Sequence, residues 1–187
     1  MDTSNQIKNP KLALQEKYQG CPRANLFKRL GAYIYDLFAL VAVLMLSVIV
    51  AILVVMLSDK VGLIDLTAYQ DVADYLSQSN VFVAYLVFII VAFYAYFWTK
   101  GGQTIGMKAW RLRVQNSDGS NISFTQSLIR MATSAFGLGN LLVLFRGRNA
   151  FQDLWAECEV IVLTKELSNW KGFKGMGFMD EDKKIKC

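Results

Sequence analysis

The sequence predicts an all-α integral membrane protein: a small helical bundle with two clear membrane helices, a third short apolar segment and a small cytoplasmic β-hairpin. Three observations carry that expectation. Two apolar runs can cross a bilayer, for which ~20 residues at a rise of ~1.5 Å each suffice: 28–57 with length to spare, and 81–98, whose 18 residues are near the minimum. Charge is partitioned between the segments that these runs separate. Histidine is absent from all 187 residues, which removes Ser-His and Cys-His catalysis and histidine metal sites together. No enzyme activity, cofactor or metal is therefore expected.

The chain opens with a polar lead, 1–21, containing Pro10 and Gly20, in which a short amphipathic helix fits Lys11–Tyr18 and a mobile tail is the simpler reading. The first membrane run follows. It is too long for a secretory signal core and has no small-residue cleavage site. From Leu30 to Leu57 its one charge is Asp36, about two turns inside the entrance. A carboxylate at the centre of a membrane helix costs ~2.5–3.5 kcal/mol on insertion scales. No cation stands at i±3 or i±4, and Arg29 lies seven residues back, ~10 Å along the axis. Asp36 must be neutral, wet or paired with a cation from elsewhere in the chain.

The loop 58–80 holds Lys60 against Asp59, Asp65, Asp71 and Asp74, whereas 1–29 holds six cations against two acids and 99–130 five against Asp118. Basic segments beside membrane helices stay in the cytoplasm. This charge rule puts the N-terminus inside and the acidic loop, with a short interfacial helix, outside. Nucleic acid is the other usual reading of basic residues, but the membrane runs account for them and no nucleic-acid partner is expected. In the second run, Phe93, Tyr94, Tyr96, Phe97 and Trp98 crowd the inner end as an anchoring belt.

Gly101 and Gly102 stop that helix. The stretch from Trp110 to Gln115 then alternates, 116–119 is a turn, and 121–124 can return as the second strand of a hairpin. Arg111 and Arg113 on its outer face are candidates for contact with lipid head groups. The third apolar segment, 131–145, lies between Arg130 and Arg146 and is interrupted by Gly137-Leu138-Gly139-Asn140. A re-entrant hairpin keeps the flanking arginines inside, and a tilted span is the alternative. Val160–Leu163 suits a strand or a packed amphipathic end, and 164–187 is a polar, mobile tail. Cys21, Cys158 and Cys187 are odd in number without a C-x-x-C, and read as structural or incidental thiols, since a cytoplasmic Cys21 is not expected to form a disulfide.

Three blocks in order then resemble the RDD family of small membrane proteins, named for one arginine and two aspartates. The first block is Arg29, Ala32 and Asp36. The second is Gly102, Gln103, Thr104 and Gly106, followed by Leu112-Arg113-Val114, Asp118-Gly119, Gln126 and Arg130. The third is Gln152, Asp153, Ala156, Cys158 and Val160. The likeness spans 22–163. Ile105 stands where the family has proline, Met107 where it has lysine, and Gln152 where it has histidine, so a proton relay through that histidine is not available. The resemblance implies a transport-related role, with sodium/proton antiport suggested for some members, and it singles out Arg29 and Asp153 beside Asp36. Together these residues predict a polar cluster in which Asp36 and Asp153 share Arg29 and Arg130. Such a cluster is either a clasp that fixes the bundle or an ion or proton site. A structural or accessory protein of the cell (inner) membrane is expected, surrounded by the lipid bilayer and acting as a homo-oligomer or beside a membrane-complex partner. An oligomeric ion- or proton-coupled transporter is the alternative.

Overall fold

The first helix, α1 (Leu26–Lys60), outruns the membrane it is suited to cross. Its 35 residues extend ~52 Å against a hydrocarbon core of ~30 Å. A computed structural model describes residues 15, 16, 18–134 and 150–169. The described residues divide into two units, one within 37–93 and the other from the two flanks, up to 36 and from 94 onward. The expected segment 131–145 falls mostly outside the described residues, with only 131–134 inside them, and the tail beyond Asn169 is wholly outside.

In the unit of 37–93, α1 continues to Lys60, a cation in the last turn that opposes the negative end of the helix dipole. Gly62 at φ 74° closes the helix, with Leu63 N–H donating to the Ser58 carbonyl at 2.9 Å and Gly62 N–H to Asp59 at 2.9 Å. That pattern needs the left-handed conformation glycine adopts without strain. The acidic loop contains a helix, α2 (Val72–Gln78), capped by the Asp71 carboxylate, which accepts from Asp74 N–H at 2.8 Å. Leu76 is its one buried residue. α3 (Asn80–Gly101) follows, and its Tyr85 hydroxyl donates to the Ser47 carbonyl of α1 at 3.4 Å. α1 and α3 are both long and apolar enough to cross a membrane.

In the other unit Gly102, at φ 63°, ends α3. Short elements follow: α4 (Ile105–Ala109), β1 (Leu112–Gln115), α5 (Phe124–Thr133), α6 (Phe151–Trp155), β2 (Glu159–Val162) and α7 (Lys165–Asn169). The expected pair of antiparallel strands exists, but the partner of β1 is β2, in the register Leu112↔Val162 through Gln115↔Glu159. The stretch 121–124 does not return as a strand. Ser123 caps α5 there, its hydroxyl accepting from Gln126 N–H while the Gln126 side chain accepts from Ser123 N–H at 2.8 Å. A capping box outcompetes a strand in that stretch.

Of the lead, 15, 16 and 18–21 are described, so the expected helix at Lys11–Tyr18 lies mostly outside the described residues, and this end of the lead is packed. Ala24 N–H donates to Val160 and Val162 N–H to Pro22, both at 2.8 Å, so 22–24 lies along the free edge of β2. Tyr18 and Cys21 are buried with Ile161, Leu163 and Leu167, the last on α7. Cys21 is disulfide-bonded, which corrects its reading as a thiol, and Cys158 is free. The main core is Ala24, Ala32, Trp98, Met107, Leu112, Val114, Ile122 and Val160, drawn from α1, α3, α4 and both strands.

Candidate functional site

Asp153 sits at the centre of the site. Ala150 starts α6 without a side-chain cap, and the short helix turns Gln152 and Asp153 inward. Arg29, in the first turns of α1, donates through Nη1 to Asp153 Oδ2 at 2.5 Å and through Nε to the Ala24 carbonyl at 3.2 Å. Arg130, in the last turn of α5, donates through Nη1 to Asp153 Oδ1 and to the Cys158 sulfur at 3.3 Å. Its guanidinium lies over the Trp98 ring, 5.1 Å from the centroid. Arg29, Arg130 and Asp153 are 5%, 5% and 2% exposed.

Burial drives the Asp153 carboxyl upward, but Arg130 and Arg29 together outweigh it and hold the group below the usual aspartate range. Burial lowers Arg130, and Asp153 more than reverses that, so the guanidinium stays charged. Burial is also the main influence on the Cys158 thiol, which is pushed up despite Arg130 beside it. Two cations on one carboxylate leave one net positive charge in this group, partly met by the Trp98 face.

Asp36 belongs to a second set of bonds. Its Oδ2 accepts from the Thr104 hydroxyl at 2.5 Å and its Oδ1 from Gly106 N–H at 2.7 Å. The expected sharing of the arginines by both aspartates is corrected: the arginines are committed to Asp153, and Asp36 is held by neutral donors. The physical reason is reach. α4 starts against α1 so closely that a Cβ on Gly106 would strike the Ala32 carbonyl and stand 2.8 Å from the Asp36 nitrogen. That approach brings an unpaired helix-start N–H to Asp36.

The motif loop thereby gains a physical account. Gly102 turns the chain, and its carbonyl accepts from Val114 N–H at 2.7 Å. Gln103 donates through Nε2 to the Leu112 carbonyl at 2.5 Å. Thr104 caps α4, accepting from Met107 N–H at 3.2 Å, while its proton goes to Asp36. Gly106 permits the contact. Gln126 ties α5 to the turn and to α6, donating to Asn116 Oδ1 at 2.8 Å and the Ala156 carbonyl at 3.0 Å.

The two lipid candidates separate. Arg111 is exposed, at φ 55°. Arg113 is buried, which corrects its placement on an outer face: it donates to Gly101 O at 3.1 Å and Asn121 Oδ1 at 2.5 Å and lies 4.2 Å over the Tyr18 ring. Every residue of β1 is buried, and Tyr18 of the lead lies against Arg113 and accepts from Gln115 Nε2 through its carbonyl at 3.4 Å. Burial, countered in part by Tyr18, lowers the Arg113 pKa. Sequence reasoning missed Thr104 and Gly106 as the donors to Asp36, although a threonine two residues after a glycine break is a helix-start signal. It also missed Trp98 and Cys158 beside Arg130, for which the sequence holds no local sign. Among the described residues no three Asp, Glu, His or Cys side chains are grouped to hold a metal.

The family model described as the RDD family matches residues 23–157. No curated protein and no solved structure matches the chain.

Proposed function

The chain belongs to the RDD family, and from that premise we propose a multi-pass protein of the cell membrane in which Arg29, Asp36, Arg130 and Asp153 act as an architectural clasp. Family membership and the two apolar helices point to a membrane protein. The observation that carries the clasp is that both carboxylates are already engaged, Asp153 by two guanidinium groups and Asp36 by a hydroxyl and an amide. Arginine is a permanent partner that does not titrate in any working range. The bonds tie three distant parts of the sequence to the first turns of α1. On this reading the protein is a structural or accessory component, as a homo-oligomer or within a membrane complex. The charge asymmetry supports a cytoplasmic N-terminus. The disulfide at Cys21 weighs on the other side, because the cytosol keeps thiols reduced.

One observation favours the second reading, an oligomeric ion- or proton-coupled transporter. The donors to Asp36 are neutral, so it can take up or release a proton without breaking an ion pair. Intramembrane carboxylates often mark ion pathways. The test is sodium- and potassium-dependent proton movement in liposomes, comparing wild type with Asp36→Asn, each checked for folding. The clasp predicts no flux from either protein and reduced accumulation of the variant. Flux by wild type alone, with both folded, overturns the clasp and makes Asp36 the coupling residue.

A further inference from the structure

A helix on a water-soluble surface turns its polar face outward. α5 and α6 do the reverse. In α5 the buried residues are Ser127 and Arg130, while Phe124, Leu128 and Ile129 are exposed. In α6 the buried residues are Gln152 and Asp153, while Phe151, Leu154 and Trp155 are exposed. Phe124 and Trp155 are 58% and 63% exposed, and Thr125 is the one exposed polar residue on α5. No exposed residue of either helix is charged.

The same inversion runs through the first turns of α1, where Arg29 and Asp36 are buried and Phe27, Leu30 and Ile34 are exposed. α1 is apolar enough to cross a membrane. In lipid, polar groups turn to the protein interior and apolar side chains turn out. One arrangement of polarity, shared by α1, α5 and α6 around the same Arg29–Asp153–Arg130 group, implies one surrounding medium. α5 and α6 have ten and five residues, so neither can span. Short helices with an aromatic-rich apolar face lie in the plane of the boundary between head groups and acyl chains.

We propose that α5 and α6 are seated in the bilayer interface, with Phe124, Leu128, Ile129, Phe151, Leu154 and Trp155 inserted among the lipids. This goes beyond the clasp and holds for either role of the polar group. The polar faces of the two helices close over the clasp while their apolar faces meet lipid.

The test uses the full chain in vesicles of phosphatidylcholine and phosphatidylglycerol. Spin labels are placed at Leu128→Cys and, separately, Leu154→Cys, with wild type treated in parallel for background. Both positions are exposed, so the label displaces no core, and each variant must elute with wild type on size exclusion. A label at Leu46→Cys, exposed on α1, reports insertion of the chain itself. Collisions with oxygen, which concentrates in lipid, are compared with collisions with a water-soluble nickel chelate. Oxygen dominant at 128, 154 and 46 is the expected result. Nickel dominant at 128 and 154, with oxygen dominant at 46, overturns the proposal and leaves the membrane reading intact. Nickel dominant at all three overturns both. Protection from both reagents at 128 and 154 also overturns it. In that case, spin–spin broadening that disappears on dilution with unlabelled chain identifies a second copy as the cover, and its absence identifies a cover from the same chain.

Discussion

Asp153 sets the behaviour expected at the residue scale. Its folded carboxyl lies below the ordinary value of 3.8, with burial opposing and Arg130 and Arg29 prevailing. A depressed acid contributes stability that is present above its unfolded pKa and is lost as pH falls through the folded one. Wild-type protein in detergent is therefore expected to melt at falling temperature as pH drops below about 4. Asp153→Asn removes the carboxylate that Arg29 and Arg130 share and is expected to cost ~3–5 kcal/mol at neutral pH. Its melting temperature should also respond less to acid than that of wild type. Thermal melts of both proteins across that pH range check the prediction, and parallel acid slopes would remove Asp153 as their source. Gly106 is the other residue on which the site turns, because any side chain there meets backbone rather than a yielding side-chain end.

Among the elements, the short helices depend on their caps. Five-residue helices such as α4 have little stability of their own, since nucleation costs more than one turn returns. Thr104 performs two tasks, capping Met107 N–H and donating to Asp36, whereas Ser123 performs one. Ser123→Ala is expected to cost ~1 kcal/mol. Thr104→Val, nearly the same shape, loses the cap and also leaves Asp36 Oδ2 without its donor, so it should cost ~1–3 kcal/mol more. Thermal melts of the two variants under one condition compare them; equal losses would mean that the Thr104–Asp36 bond adds nothing. Strand pairing shows a related dependence. β1 has no nearby partner once Ser123 caps α5 and the helix takes the chain from Phe124, and it pairs instead with β2, across more than forty residues.

For the whole molecule, the length of α1 is the governing fact. A helix of ~52 Å cannot lie entirely within a core of ~30 Å without strong tilt, so part of it must serve another purpose. The division of the fold gives that purpose: residues up to Asp36 fold with the polar elements, and residues from Leu37 onward do not. Asp36 is consequently a carboxylate of the polar unit, and its burial at 4% exposure is among Thr104, Gly106 and their neighbours. The acidic loop between α1 and α3 is expected on the outer side of the membrane. Gln70→Cys in intact cells should react with an impermeant maleimide; labelling only after lysis would invert the orientation and make the disulfide at Cys21 the better guide.

The sequence by itself determined what depends on composition and on neighbours in the chain. The two apolar runs, the glycine stop after α3, the acidic helix near Leu76 and the kinship of the three motif blocks all follow from local pattern, because hydrophobic length and turn chemistry act over a few residues. Asp36 was also recognisable there as a group in need of a partner. Tertiary structure decided which partner. The choice between Arg29 and Thr104 turns on how closely α4 approaches α1, a distance set by the missing Cβ of Gly106 and by residues some seventy positions apart. The burial of Arg113, the pairing of β1 with β2 and the stacking of Arg130 on Trp98 are of the same kind. Each is a contact between segments whose local sequences carry no mark of one another, so packing alone could select it.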